Sequence, residues 1–328
     1  MASFHLSVEI VGRSEGRSAV AAAAYRAGAV LTDPDTGRVH DYGRKRGVAS
    51  SWIETPDDAP DWCRDRAALW AAVHAKEKRK NSRLAREVRI ALPHELTDEQ
   101  RAELVREWVR DAITSRGVVA DVAIHRPGRA GDDRNHHAHI LVTCRRPDAG
   151  QPDGWDRHAA RDLNDVSWIE ALRSSWEQAQ NLALLEAGSS ARVDHRSLAA
   201  QREDALEAGD LDLAASLDRP AEPRLGLAAG AMEARGVPTE RGDALSDARD
   251  ERSRLTRALA AARAAASEIA QVLAEIAAIR PGRKPPAPPV QAATDSPDAP
   301  PDDPPGDPPE SGTSPDEEPA DDSGPSGP

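Results

Sequence analysis

Three histidines lie within four residues in the segment NHHAHIL (135–141), which runs directly into an apolar stretch. Alternate side chains of a β-strand share a face, so His137 and His139 point the same way and His136 points to the other side. His125, at the end of the preceding predicted strand, is the candidate for a third ligand. Three neutral imidazoles suit a divalent cation and leave coordination positions open for a substrate. The sequence therefore predicts a three-histidine metal site.

Tyr25 is a second residue with chemical potential and one of only two tyrosines in the chain. Small side chains surround it at helical spacing, and these are Ala21, Ala22, Gly28 and Ala29. Small neighbours around an exposed phenol would let a bulky substrate backbone approach. The same pattern fits a core tyrosine in an alanine-rich helix, and Tyr42 is the alternative nucleophile.

Glu87, in the segment REVRIALP (86–93), is the candidate acidic neighbour of the histidines. The apolar residues of this segment alternate with Glu87 and Arg89, which places these two on the face away from the core. A carboxylate there would orient a ligand histidine or help to take the tyrosine proton. An ordinary ion pair on the strand face explains Glu87 equally well. His5 and Asp194 are weaker candidates on the same reasoning.

Hydrophobic alternation and capping signals predict the elements that must position these residues. Strands are expected in 3–12, 86–93, 118–125 and 136–145, and helices in 18–28, 60–82, 97–117 and 162–188. The last two strands flank a polar loop and can pair as an antiparallel hairpin. We expect an α/β domain (α+β, two-layer) over residues 1–200, with a central, mainly antiparallel sheet flanked by helices. Because aromatic residues make up only 3% of the chain, we expect Ala, Val, Leu and Ile to form its cores.

The formal charge of −13 is unevenly distributed along the 328 residues. Residues 1–200 contain 30 basic and 30 acidic side chains, which leaves 43 − 30 = 13 basic and 56 − 30 = 26 acidic for the remainder. The first 200 residues can therefore still present a basic face to nucleic acid. GRKRG (43–47) and KEKRKNSR (76–83) are the candidate phosphate contacts.

Three segments follow the predicted domain: a helical or linker extension (201–245), an amphipathic helix (246–280) and a tail (281–328). The helix carries an apolar heptad seam formed by Leu255, Leu259, Ala262, Ala266, Ile269, Leu273 and Ile276. Self-association through this seam and docking on its own domain both remain open. Of the 48 tail residues, 16 are proline and most others are acidic or small, which predicts a disordered acidic tail.

The two cysteines, Cys63 and Cys144, have no metal-binding spacing and form no disulfide framework, which favours a reducing compartment. The start of the chain has no signal-peptide pattern, and no apolar run is long enough to cross a bilayer. These features predict a cytoplasmic protein without membrane insertion.

Three motifs in order resemble the N-terminal relaxase domain of the MobA/MobL mobilisation family, strand-specific DNA nickases of the HUH endonuclease class: HLSVEIVGRSEGRSAVAAAAYRAG, REVRIALPHEL and NHHAHIL. The resemblance extends through RVDHRSL (192–198). It implies that Tyr25 is the nucleophile and that His125, His137 and His139 bind the metal. The family commonly has proline before H-A-H, where this chain has His136.

The resemblance implies nicking and rejoining of single-stranded DNA at a plasmid or mobile-element transfer origin, through a 5′-phosphotyrosine intermediate. It further implies a divalent metal, Mg²⁺ or Mn²⁺. Expected partners are accessory mobilisation proteins and a type IV secretion coupling protein, with transfer of the protein into the recipient cell alongside the DNA. A rolling-circle replication initiator or transposase, a non-catalytic DNA-binding protein, and a zinc hydrolase that uses water are the alternatives.

Overall fold

A computed structural model describes residues 3–15, 18–128, 133–223, 225–233 and 235–279. The chain divides into two compact units, Met1–Arg263 and Ala264–Pro328. The predicted acidic tail (281–328) lies outside the described residues, and the division of the chain into four segments stays a prediction.

Five antiparallel strands form the central sheet of the first unit, in the order β1-β5-β7-β6-β4. They are β1 (Leu6–Gly12), β4 (Val48–Glu54), β5 (Arg83–Ala91), β6 (Ala120–His125) and β7 (His137–Thr143). Two small ribbons pair β2 (Val30–Thr32) with β3 (Val39–Asp41), and β8 (Arg145–Pro147) with β9 (Trp155–Ala159). The expected antiparallel pairing of the two strands around the polar loop is confirmed.

Eight α-helices accompany the strands within the described ranges: α1 (Ala19–Ala27), α2 (Arg66–Lys76), α3 (Asp98–Ala112), α4 (Val166–Glu186), α5 (Leu198–Glu207), α6 (Leu211–Leu217), α7 (Gly226–Glu233) and α8 (Glu240–Ile279). The predicted caps of α1 and α3 are present. Ser18 accepts a hydrogen bond from the Ala21 N–H, and Gly28 ends α1 in the left-handed region, with φ 63°. Thr97 and Gln100 form the capping box of α3.

Helix α2 is shorter than the predicted helix over 60–82. The carboxylate of Asp65 accepts a 2.7 Å hydrogen bond from the Ala68 N–H, with Asp65 itself in an extended conformation. An N-cap with extended dihedrals separates α2 from the short 3₁₀ helix at Asp61–Arg64 before it. The basic segment after Lys76 lies outside the helix.

Two hydrophobic cores lie on opposite faces of the central sheet. One joins the sheet to α3 and α4, and the other joins it to α1 and α2. The expected antiparallel sheet with flanking helices is confirmed. Because helices cover both faces of the sheet, the elements form three layers instead of the expected two.

Five of the seven tryptophans are buried in these cores, namely Trp70, Trp108, Trp155, Trp168 and Trp176. The expectation of purely aliphatic cores was therefore wrong. A few indoles fill volume that the abundant alanines leave, which the low overall aromatic content did not reveal.

Helix α8 begins six residues before the predicted start at residue 246. Its apolar seam remains exposed at Ile269, Leu273 and Ile276. Self-association through this seam stays a prediction. No described helix is both long and apolar enough to cross a membrane.

Asp121 holds helix α2 against the sheet through a buried polar contact. Its carboxylate accepts hydrogen bonds of 2.9 Å from Arg66 Nε and 2.8 Å from Trp70 Nε1. Burial raises the pKa of this carboxyl above its usual value although the Arg66 guanidinium opposes the effect. The ion pair of Asp121 with Arg66 therefore lies beside the core that joins the sheet to α1 and α2.

Asp121→Ala should lower the free energy of unfolding by roughly 3 kcal/mol, because it leaves the guanidinium of Arg66 and the indole of Trp70 without their acceptor. Thermal unfolding should then shift down by roughly 6–12 °C. Asp57→Ala, at an exposed loop position, is the control and should change stability by less than about 0.5 kcal/mol. Equal melting temperatures for the two variants would show that the contact is not stabilising.

Candidate active site

The register of β6 and β7 brings the three predicted histidines together. His125 lies directly opposite His137, and His139 lies opposite Ala123 on the same face. The ring centroids are 4.8 to 5.3 Å apart. One ring nitrogen from each histidine lies within 4.8 Å of the others, a spacing that would hold a metal ion. His136 precedes the first residue of β7 and lies outside the three-histidine group.

Each of the three imidazoles has one ring nitrogen bonded to an oxygen acceptor. His139 Nδ1 lies 2.6 Å from Glu87 Oε1, His137 Nδ1 lies 2.9 Å from the Asn135 carbonyl, and His125 Nε2 lies 2.7 Å from the Arg26 carbonyl. An oxygen acceptor requires the proton on that nitrogen, so the other nitrogen of each neutral ring carries a lone pair. Metal-binding histidines are oriented in this way. The donor set therefore fits a divalent metal.

Burial keeps two of these histidines in the neutral form that a metal ligand requires. The pKa of His125 is lowered to about 4, chiefly by burial, while its hydrogen bond to the Arg26 carbonyl acts in the opposite direction. The pKa of His137 is also lowered, again chiefly by burial. Near pH 7 neither ring competes for a proton, so both nitrogen lone pairs are available.

Glu87 lies beside the histidines with both carboxylate oxygens engaged. Oε1 accepts hydrogen bonds from His139 Nδ1 and, at 2.7 Å, from Arg26 Nε, and Oε2 accepts one from Arg26 Nη2. Burial alone would raise the pKa of Glu87, but the hydrogen bonds from His139 and Arg26 outweigh it and hold that pKa well below its usual range. Glu87 is therefore a buried anion, and a weak proton acceptor.

Tyr25 lies in the last turn of α1, with half of its surface exposed. Its ring meets Tyr42 edge-on, with centroids 5.2 Å apart. Lys45 Nζ lies 3.7 Å from the Tyr25 ring centroid and donates a 2.7 Å hydrogen bond to the Tyr25 carbonyl. The phenol is accessible to a substrate, and Tyr42 and Lys45, in the segment after β3, contact its ring.

Arg26 connects this tyrosine to the histidine cluster. It follows Tyr25 in the chain, its carbonyl is bonded to His125, and its guanidinium is bonded to Glu87. Arg26 was not predicted as a site residue, although its place beside the candidate nucleophile was a usable signal in the sequence. The alternative nucleophile Tyr42 is half-buried and packs against the core that contains α1.

The basic segments have a different arrangement from the one the sequence suggested. Lys45 is bound to Tyr25, while Arg44 and Arg46 beside it are exposed. In the second segment, Lys76 pairs with the Asp153 carboxylate and Arg83 donates to the Asn164 side chain. Burial lowers the pKa of Lys45, and the charge of Arg26 lowers it further.

A second group of potential ligands lies away from the three histidines, where Asp194 meets Glu177 and His195. Its side chains already have protein partners. Asp194 Oδ2 accepts a 2.7 Å hydrogen bond from Arg196 Nη2, and His195 Nδ1 is bonded to Glu177. These contacts hold the segment after α4 in place. The sequence candidates Asp194 and His5 lie outside the three-histidine group.

Comparison with known proteins places this arrangement in a family. Residues 17–215 match the model of the MobA/MobL family. The mobilization protein MobL of Acidithiobacillus ferridurans is 38% identical over 226 residues, which cover 60% of this chain and 58% of that protein. A probable conjugal transfer protein TraA of Sinorhizobium fredii is 36% identical over 229 residues, covering 61% of this chain and 20% of that protein.

A solved structure concerned with the molecular basis of vancomycin resistance transfer in Staphylococcus aureus is also similar. It is 32% identical, with a TM-score of 0.55, and the match covers 60% of this chain and 100% of that one. The chain spans less than two thirds of the length of the two relatives named above. Because the family model matches more than half of the chain, including the segments with Tyr25, Glu87 and the three histidines, this protein belongs to the MobA/MobL family.

Proposed function

We propose that this protein is a metal-dependent DNA relaxase that nicks and rejoins one strand at the transfer origin of a plasmid or another mobile element. The observation that carries the proposal is the position of Tyr25 beside the three-histidine group. Its phenol is accessible at the end of α1, and the carbonyl of Arg26 at the same helix end is hydrogen-bonded to His125. The relatives' names, a mobilization protein and a conjugal transfer protein, agree with action at a transfer origin.

The reaction would be a transesterification at phosphorus. The Tyr25 oxygen attacks the scissile phosphate, the bond to the 3′ oxygen breaks, and the 5′ end becomes covalently attached to tyrosine. The phenolic proton ends on the departing 3′-hydroxyl. Because one phosphodiester replaces another, the 3′-hydroxyl can attack the phosphotyrosine and reclose the strand. A free phenol has a pKa of about 10, so the site must assist its ionisation.

His125, His137 and His139 would hold the metal, which when bound would draw charge from the non-bridging oxygens of the scissile phosphate. Nitrogen donors favour transition metals, whereas Mg²⁺ prefers oxygen ligands. Of the two metals expected from the family resemblance, Mn²⁺ fits these three imidazoles better than Mg²⁺.

We assign Glu87 a positioning role. Its oxygens are occupied by His139 and Arg26, and its pKa is held low. Such a carboxylate orients the imidazole and makes it a better ligand, but accepts a proton poorly.

Single-stranded DNA is the proposed substrate, with the exposed Arg44 and Arg46 as phosphate contacts beside Tyr25. Accessory mobilisation proteins and a type IV secretion coupling protein are the proposed partners, and the cytoplasm is the proposed location.

Tyr25→Phe should abolish cleavage of origin oligonucleotides, because it removes the attacking oxygen and leaves the ring. Denaturing gels of labelled single-stranded oligonucleotides with Mn²⁺ measure both the cut and the protein-linked 5′ end. Tyr42→Phe is the matched control and should retain activity within about tenfold. Cleavage that survives Tyr25→Phe would instead assign the chemistry to Tyr42 or to metal-bound water.

Glu87→Gln should weaken Mn²⁺ binding by about 10–100-fold, because the neutral amide no longer holds the His139 ring as a carboxylate does. Titration calorimetry on the metal-free protein measures the change. Glu9→Gln is a close control, since Glu9 is the cross-strand partner of Glu87 but is exposed. Equal affinities for both variants would remove the positioning role from Glu87.

Lys45→Met should lower the kcat of cleavage by about tenfold while the KM for the oligonucleotide stays constant, because the cation above the Tyr25 ring is lost. Lys45→Arg should restore part of the rate. Arg46→Met, at an exposed position, should mainly raise KM. A change confined to KM in Lys45→Met would return this lysine to the role of a phosphate contact.

A further inference from the structure

An apolar groove runs along the outer side of helices α3 and α4, on the sheet face opposite the three histidines. Its volume is about 670 Å³. The buried side chains that line it include Leu104, Trp108, Trp168 and Leu172. Leu182, on the wall formed by α4, has 57% of its surface exposed. Within the first unit, the groove therefore presents uncovered apolar surface.

Carboxylates line the rim of this groove. Glu103, Glu107 and Asp111 follow one another at intervals of four residues, so they form a stripe along one side of α3. Glu186 stands at the end of α4. Within the described ranges, no salt bridge involves Glu107, Asp111 or Glu186. The sole cation among the lining residues is Arg116, near the end of α3.

We propose that this groove binds an amphipathic helix of a partner protein, with the apolar face of that helix in the groove and lysine or arginine residues along its flanks. An apolar floor with a charged rim is how proteins receive such helices. The 15 residues of α3 extend over roughly 22 Å, which matches a helix of about four turns. The acidic stripe selects for basic flanks through charge complementarity.

The same charges argue against other occupants. DNA would be repelled by the carboxylate rim. Residues 283–328 of this chain contain two basic and eleven acidic side chains, so their charge also opposes the rim. A symmetric dimer through this face would bring two acidic rims together. A helix with basic flanks avoids all three conflicts, and it would leave Tyr25 accessible on the other side of the sheet.

Two labelled synthetic peptides of 16 residues would test the proposal by fluorescence anisotropy with the full chain. Both carry leucines at helical spacing, one with flanking lysines and the other with flanking glutamates. We expect the lysine peptide to bind at least ~10-fold more tightly, with affinity that falls as salt is added. Equal affinities of the two peptides would overturn the proposal that the groove selects a helix with basic flanks.

The double variant Glu107→Lys with Asp111→Lys should weaken the lysine peptide by at least ~10-fold and improve the glutamate peptide. Asp57→Lys with Glu170→Lys makes the same change in net charge at exposed positions outside the groove, and should leave both affinities unchanged. Equal losses in both double variants would assign the effect to net charge and overturn the site.

Leu182→Ser should weaken the lysine peptide as well, because the apolar wall is lost. Sedimentation velocity of the protein alone tests whether a second copy of this chain occupies the groove instead. A dimer that disappears in Leu182→Ser would assign the groove to a second copy and overturn the assignment to a partner helix. Cleavage of origin oligonucleotides should be unchanged in these groove variants, so the outcome is independent of the proposed relaxase activity.

Discussion

The antiparallel register of β5, β7 and β6 is the constraint on which the candidate active site depends. It pairs His125 with His137 across one strand boundary, and it sets His139 opposite Arg89 across the other. Glu87, two residues before Arg89, then lies diagonally across from His139 on the same face. A shift of one residue would turn every site residue of the shifted strand to the opposite face. The apolar residues between the histidines oppose such a shift, because they form the core beneath α3 and α4.

A single buried carboxylate joins this register to the helix that carries the proposed nucleophile, Tyr25. Glu87 is bonded to His139 on β7 and to Arg26 on α1. A buried anion is tolerated only when it is paired and hydrogen-bonded, and here the guanidinium supplies both. The Arg26 carbonyl adds a third link, to His125. The end of α1, and with it Tyr25, is thus fixed by the same contacts that orient two of the proposed metal ligands, His125 and His139.

Four of the five strands of the central sheet and the grouping of the histidines could be predicted from the sequence, because both rest on local rules; β4 was not predicted. Alternation set the faces of His137 and His139, and the caps Ser18 and Gly28 set the ends of α1. The contact between Arg26 and Glu87 could not be predicted in the same way, since it joins residues 61 positions apart. Lys45 is a similar case, because only the path of the chain after β3 brings it over the Tyr25 ring rather than toward solvent.

The most direct test of the account is an anomalous difference map from crystals of the metal-free protein soaked in Mn²⁺. The account predicts one strong peak within bonding distance of His125 Nδ1, His137 Nε2 and His139 Nε2, the ring nitrogens left without oxygen acceptors. A peak at Glu177, Asp194 and His195 instead, or no peak at the three histidines, would contradict it.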